Sequence, residues 1–332
     1  KYIKWIQLLY SAPLAQIKLN GTQSETFCLQ RGTRQGCPIS PLIFALVLDP
    51  LAVSIHRDPL TRGLDWNGQW EDKISLYADD ILLYLTDPKA SLSRIMHVTH
   101  LFGKYSGYTI NWDKSVIFPL TGRVPILPQG CCARVVKEGF RYLGIFITTD
   151  PAQFFQKNLQ PPLTRLRGDV SHWKSLPLSF LGRAALFKMM SLPCFIYALQ
   201  NTPFPINETY FKSINSEIRA LLWDGGAARI SLAKLTQSWY DGGIALPNIQ
   251  QYYWAAHLAI VNGWAFSTND EPAYRLNKML LQPRGYVAAL YNQSNRTLQF
   301  GPTDVTLKIW SLATKNLGWE GKLTKVTPLW DT

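Results

Sequence analysis

The sequence predicts an α+β protein, with short strands and tight turns in its first half and helices in its second. Three observations predict it. Ala15, Ile17 and Leu19 alternate with Gln16 and Lys18 ahead of Asn20-Gly21, which is the signature of a hairpin. Two apolar runs between Lys73 and Leu85 flank Tyr77-Ala78-Asp79-Asp80 and read as strand, turn, strand. Leu163 to Gln200 is helical in character, with Pro177 and Pro193 limiting the helices.

Taken in order, Tyr2, Trp5, Ile6 and Leu9 fall at i, i+3, i+4 and i+7 and predict an opening helix. The hairpin over residues 15–29 follows, its Asn-Gly accepting the positive φ that such a turn requires. Arg31-Gly-Thr-Arg-Gln-Gly-Cys-Pro38 is a basic, glycine-rich loop. Ser40 is expected as the N-cap of the next helix and Pro41 as its first residue, with Asp49-Pro50 bending or interrupting it. After the 73–85 pair, Leu92, Ile95, Met96, Thr99 and Phe102 mark a helix that Gly107 should end. Arg141 to Thr148 reads as one short strand, and Pro161-Pro162 as a boundary. Residues 206–332 alternate helical stretches with turns such as Asp224-Gly-Gly226 and Asp241-Gly-Gly243. The segments expected are 1–150, 151–205 and 206–332. Trp173, Trp223, Trp239 and Trp254 are expected in the core, because helical tryptophans usually pack.

Composition narrows the function. The 332 residues carry 34 Lys and Arg against 22 Asp and Glu, a net charge of +12, so an acidic partner is expected and nucleic acid is the first candidate. From residue 152 to 200 there are six Lys or Arg and one acid. The longest unbroken apolar run, Leu42 to Leu48, is too short to span a bilayer, so no membrane is expected. Five cysteines without a C-x-x-C signal neither a zinc site nor a disulfide scaffold, which suits an intracellular compartment, nucleus or cytoplasm, and no disulfide partner. The chain opens at Lys1 inside an amphipathic pattern and reads as a piece of something longer.

Asp79 and Asp80 are adjacent carboxylates between apolar runs. Like charges so placed repel, and a bound divalent cation reverses that balance. Hard oxygen ligands suit Mg²⁺, which keeps waters and takes its remaining ligands from substrate phosphates. The plain alternative is that Asp favours turns through its own side-chain hydrogen bonds. In the loop, Gly32 and Gly36 let backbone approach a phosphate or sugar, and Arg31 and Arg34 supply charge-assisted bonds. There the plain alternative is a turn before a helix with solvated arginines.

These residues, with Tyr77-Ala-Asp-Asp80 at the right interval after Arg31-Gly-Thr-Arg-Gln-Gly-Cys-Pro-Ile-Ser-Pro41, resemble the reverse transcriptase domain of LINE-type, non-LTR retrotransposons. Phe102-Gly-Lys-Tyr-Ser-Gly-Tyr-Thr-Ile-Asn111 with Lys114-Ser115, and Phe140-Arg-Tyr-Leu-Gly144, resemble its next blocks. Trp173 to Pro203 resembles the thumb, and Trp223 to Trp254 the region after it. The resemblance implies a partial right-hand polymerase palm and fingers over 1–150, a helical thumb, and a mostly helical C-terminal region. It implies an RNA-directed DNA polymerase with an RNA template, a DNA primer and deoxynucleoside triphosphates. Two Mg²⁺ ions, with Mn²⁺ as a substitute, would stand about 3.5–4 Å apart and stabilise the attacking and leaving oxygens. Asp79 and Asp80 are the implied metal ligands. Tyr77 and Ala78, with Tyr142, Leu143 and Gly144, would contact the primer. Arg31, Gly32, Arg34, Gln35 and Gly36 would lie at the nucleotide and template, and Lys114 would assist the leaving pyrophosphate. Arg165, Arg167, Lys174, Arg183 and Lys188 suit duplex backbone.

The resemblance also implies a third carboxylate, on a strand upstream of the opening helix. No Asp precedes Asp49, and Glu25 is the only earlier acid. Residues 1–332 by themselves are therefore expected not to extend a primer. The competing reading is a non-catalytic nucleic-acid-binding remnant or repurposed scaffold. A paired-carboxylate glycosidase is disfavoured, because its acids stand about 5 Å or more apart across a sugar.

Overall fold

The computed structural model describes residues 1–29, 36–266, 272–281, 290 and 301–316. They fall into two compact units, Lys1–Lys137 and Glu138–Thr332.

In the first unit, α1 (Tyr2–Tyr10) leads into β1 (Leu14–Ala15), β2 (Lys18–Leu19), β3 (Thr22–Gln23) and β4 (Phe27–Cys28). β2 pairs antiparallel with β3, and β1 with β4, around Asn20 and Gly21. Both turn residues have positive φ, 48° and 83°, as the Asn-Gly pair predicts. α2 (Ser40–Arg57) then runs through Pro50 without interruption, so of the two expected effects of Asp49-Pro50 a break does not occur. Ser40 is not its N-cap. Ile39 precedes the helix without a side-chain cap, and the Ser40 hydroxyl is buried in a 2.9 Å hydrogen bond with the Tyr10 hydroxyl. A tertiary partner has taken the oxygen that a cap would use.

β5 (Leu64–Trp66) and β6 (Trp70–Asp72) form a hairpin that the sequence reading missed, although Asn67-Gly68, with φ 54° and 69°, carries its turn signal. β7 (Ile74–Tyr77) and β8 (Asp80–Leu83) form the expected one. α3 (Pro88–Ser106) is capped by Asp87 and ends at Gly107, φ 72°, whose N–H donates to the Gly103 carbonyl. Leu48, Leu51 and Ile55 of α2 and Ile95 of α3 form the core, and Ile74, Ile81 and Leu83 of the hairpin pack on it. β9 (Val116–Ile117) and β10 (Arg134–Val135) make a parallel pair.

The second unit opens with β11 (Phe140–Tyr142) and β12 (Ile145–Ile147), antiparallel about Leu143-Gly144. The single strand expected over 141–148 is thus a hairpin, because both turn residues take positive φ, 46° and 83°. Helices follow: α4 (Pro151–Phe154), α5 (Gln160–Lys174), α6 (Phe180–Leu186), α7 (Leu192–Gln200), α8 (Glu208–Leu222), α9 (Leu232–Thr236), α10 (Ile249–Phe266), α11 (Pro272–Leu280) and α12 (Gly301–Asn316). Neither Pro161-Pro162 nor Pro193 breaks the chain's helical path. A π-turn at Phe155–Leu159 joins α4 to α5, and one at Phe187–Ser191 joins α6 to α7. Each π-turn ends just before its prolines, where a wider turn accommodates the missing N–H.

α2 and the run Phe180–Gln200 are long and apolar enough to cross a membrane by length and composition, more than the unbroken apolar runs suggest. The main core joins Leu166, Phe187, Phe195, Ile214, Leu221 and Ile249. Trp173 is buried there, and Trp223 and Trp254 pack partly against it. Trp239 corrects the sequence reading. It lies on a loop between α9 and α10 and is 59% exposed.

Candidate active site

Register fixes where the two acids stand. Tyr77 pairs with Asp80, Leu76 with Ile81 and Ile74 with Leu83, so Ala78 and Asp79 are the two central residues of the turn. Strand side chains alternate, so Ile74, Leu76, Ile81 and Leu83 share the face toward α2 and α3, and Tyr77 and Asp80 the opposite one. Asp79 escapes that alternation because it belongs to the turn. The carboxylates of neighbouring residues are thereby presented from one exposed tip.

Ala78 takes φ 51° at the first central position, where a primed hairpin turn calls for glycine. Its small side chain is exposed. Among the described residues, neither Asp79 nor Asp80 has a hydrogen bond or ion pair to its carboxylate, and no cluster of three His, Cys, Asp or Glu forms. Tyr108 follows the end of α3 and packs on Phe102, ring centroids 5.9 Å apart. Burial, and after it the nearby charge of Asp79, pushes its hydroxyl above the usual tyrosine range. Two unpartnered hard-oxygen donors side by side fit Mg²⁺, which is commonly held by one or two carboxylates with phosphates and waters completing its shell.

The hairpin is anchored at its root by a buried polar network. Lys73, directly before β7, donates to the Asp58 carbonyl at 2.8 Å and pairs with Glu71 at 3.2 Å. Asp58 accepts from Thr61 at 2.7 Å and from Arg94 at 3.1 Å. Burial would push the Asp58 carboxyl up. The Thr61 hydroxyl, Arg94 and Lys73 outweigh it and hold the group below the usual carboxylate range. Glu71 follows the same pattern, with the Gly63 N–H and Lys73 opposing burial. α2, α3 and the strand leading to the tip are tied together by these bonds. The sequence reading missed this network, because its members lie as far as 36 residues apart.

The other predicted site residues are placed as follows. Arg31, Gly32, Arg34 and Gln35 lie outside the described residues. Gly36, φ 83°, is exposed and leads into Cys37 ahead of α2. The backbone at Ile39, and then Ser40, hold the Cys37 thiol below its usual range. Lys114 is exposed on the turn Asn111–Ser115, its backbone N–H donating to Asn111 Oδ1 at 3.2 Å.

In the second unit, Tyr142, Leu143 and Gly144 form the β11–β12 turn, held by the Tyr197 hydroxyl on the Leu143 carbonyl and by Arg141 on the Gly144 carbonyl. Arg165 and Arg167 are exposed on α5, paired with Asp169 at 3.6 Å and Glu217 at 3.0 Å. Lys174 is half-buried. Arg183 is largely buried, donating to the Leu221 carbonyl and standing 3.7 Å from Asp224. Lys188 reaches the Ile244 carbonyl at 3.3 Å.

Comparison with known proteins bears on residues 1–147, which match the family model described as reverse transcriptase (RNA-dependent DNA polymerase). The chain is 25% identical over 201 residues to "Transposon TX1 uncharacterized 149 kDa protein" of Xenopus laevis, covering 57% of the chain and 15% of that protein. It is 29% identical over 192 residues to "Retrovirus-related Pol polyprotein from type-1 retrotransposable element R2" of Popillia japonica, covering 54% and 26%. It is 27% identical over 143 residues to the R2DM polyprotein of Drosophila melanogaster, covering 43% and 13%. The chain thus spans no more than about a quarter of the length of these relatives.

Proposed function

We propose, from the premise that this chain carries a reverse transcriptase domain of the non-LTR retrotransposon kind, that it serves RNA-directed DNA synthesis through the Asp79-Asp80 tip. The observation that carries the reading is the tip itself: two unpartnered carboxylates on a two-residue turn, within the residues that match the family. An exposed Asp-Asp turn with no cation paired to it among the described residues has no structural need of both charges.

In this reading Asp79 and Asp80 hold the divalent ions, and Mg²⁺ when bound stabilises charge on the attacking and leaving oxygens. Ile74, Ile81 and Leu83 of the hairpin, half-buried on α2 and α3, keep the two acids in place without reorganisation. Ala78, with its single methyl, leaves room for a primer end, and Tyr77, 64% exposed, offers a ring beside it. Residues 1–150 are read as fingers and palm, residues 151–205 as a thumb, and residues 206–332 as a mostly helical region after it. Template RNA, primer DNA and deoxynucleoside triphosphates are the ligands proposed.

Mn²⁺ titration of the 332-residue chain with deoxynucleoside triphosphate present, followed by paramagnetic broadening, tests the site. Broadening is expected in the wild type and its loss in Asp79→Asn/Asp80→Asn. Equal broadening in both would overturn the assignment. Among the described residues no third acid joins the pair, so residues 1–332 by themselves are expected to show no primer extension. Template-dependent synthesis by that polypeptide would remove the need for a third carboxylate.

A further inference from the structure

The loop between α9 and α10 displays two aromatic rings where an ordinary loop would hide them. Trp239 is 59% exposed and Tyr240 fully so. The loop beneath them is tightly bonded. The N–H of Gly243 donates to the Ser238 carbonyl at 2.9 Å, and that of Gly242 to the Trp239 carbonyl at 3.2 Å. The Ser238 hydroxyl donates to the Asp241 carboxylate at 2.6 Å, and Lys234 Nζ to the Asp241 carbonyl at 2.5 Å. Gly243 is irreplaceable in this path, since a Cβ there would meet the Gln237 carbonyl oxygen at 2.1 Å. Past the turn, the N–H groups of Ile244 and Leu246 bond the carbonyl of buried Leu235.

A fixed turn that leaves two large rings in water gains nothing from them in folding, because apolar surface is stabilising only when buried. Their use is in binding. The occupant is indicated by charge. Lys234 and Lys188 place two ammonium groups on the loop's own carbonyls, against the single carboxylate of Asp241, which accepts from the Ser238 hydroxyl and keeps its charge. The chain as a whole carries +12. A partner that offers flat faces and negative charge together is unpaired nucleic acid, whose bases stack on aromatic rings without regard to sequence. We propose that the Trp239–Tyr240 turn is a stacking platform for single-stranded nucleic acid. This deepens the polymerase reading, from which it takes the class of ligand, by adding a site for the unpaired strand, and it does not depend on Asp79 or Asp80.

Fluorescence anisotropy of labelled oligo(U) and oligo(dT) twenty-mers, and of a duplex of equal length, tests it with the 332-residue chain. Trp239→Ala/Tyr240→Ala is expected to lose on the order of 10-fold in affinity for the single strands. Its duplex affinity and the salt slope should hold, because stacking releases no counterions. Trp239→Phe/Tyr240→Phe, which keeps two flat rings, should retain most of the affinity, whereas Trp239→Leu/Tyr240→Leu, which keeps apolar bulk without the rings, should lose it; equal retention in both would point to a merely structural role. The RNA and DNA arms show which strand the platform prefers. Unchanged single-strand affinity, an equal loss on duplex, or no binding by the wild type would overturn the proposal. The first of these outcomes would assign the rings to a protein partner instead. Since neither metal nor synthesis is read, the result stands whichever way the Mn²⁺ experiment falls.

Discussion

Ala78 sits at φ 51° in the turn that carries Asp79, a conformation that disfavours a Cβ by roughly 1–2 kcal/mol. Glycine would relieve that strain at the cost of a more disordered unfolded chain, worth about 0.4–1 kcal/mol. Ala78→Gly is therefore expected to stabilise the chain by about 0.5 kcal/mol in urea unfolding, while loosening the tip. A destabilised variant would show that the turn is unstrained. In the second unit, His257 is buried with Nδ1 2.9 Å from the Thr306 hydroxyl and its ring edge-on to Tyr253. Burial lowers its pKa from 6.5 to about 4. The unfolded state then binds the proton first as pH falls. Stability is intact above 6.5, declines between 6.5 and 4, and loses roughly 3 kcal/mol over that window. Thermal melts across this range should show the decline, and His257→Asn should flatten it. A wild-type profile that is already flat would contradict the burial argument.

The π-turn before α5 shows how an element gains a role that its sequence does not announce. Within it, the buried Asn158 side chain donates to the Phe146 carbonyl at 2.8 Å and accepts the Phe146 N–H at 2.7 Å. It completes the open edge of β12 as a partner strand would. The next residue's carbonyl accepts the Tyr210 hydroxyl at 2.7 Å. The β11–β12 turn, with Tyr142, Leu143 and Gly144, is thus held to the helices from two sides, since Tyr197 of α7 grips its tip. Asn158→Leu leaves both Phe146 groups without their partner and should cost about 2–4 kcal/mol. Chemical denaturation of the variant measures it, and a loss below about 1 kcal/mol would mean that water replaces the amide. The prolines at 161 and 193 illustrate the same limit of sequence reading. Proline breaks a regular helix, but a π-turn ahead of it lets the helix continue.

For the whole molecule, charge is the governing quantity. A net charge of +12 predicts nucleic-acid affinity that falls steeply with salt, each phosphate contact adding about one to the slope. The structure separates the basic residues that can make such contacts from those committed elsewhere. Arg165 and Arg167 have exposed side chains, 58% and 50%. The Arg183 side chain is 13% exposed and braces the end of α8. Arg165→Ala/Arg167→Ala should lower the salt slope of duplex binding by about two with little change in melting temperature. Arg183→Ala should instead lower the melting temperature. The reverse pattern would return Arg183 to the nucleic-acid surface.

By itself the sequence determined the features whose causes are local. The Asn20-Gly21 turn, the Tyr77–Asp80 hairpin, the stop at Gly107 and the basic charge follow from φ preferences, side-chain alternation and counting. Tertiary structure decided what depends on segments far apart in the chain. It took Ser40 from capping into a bond with Tyr10, joined Asp58 to Arg94, drew Arg183 onto the Leu221 carbonyl, and left Trp239 in water while Trp173 went inside. Burial and the choice of hydrogen-bond partner are properties of the packed chain, and a residue's identity limits them without selecting among them.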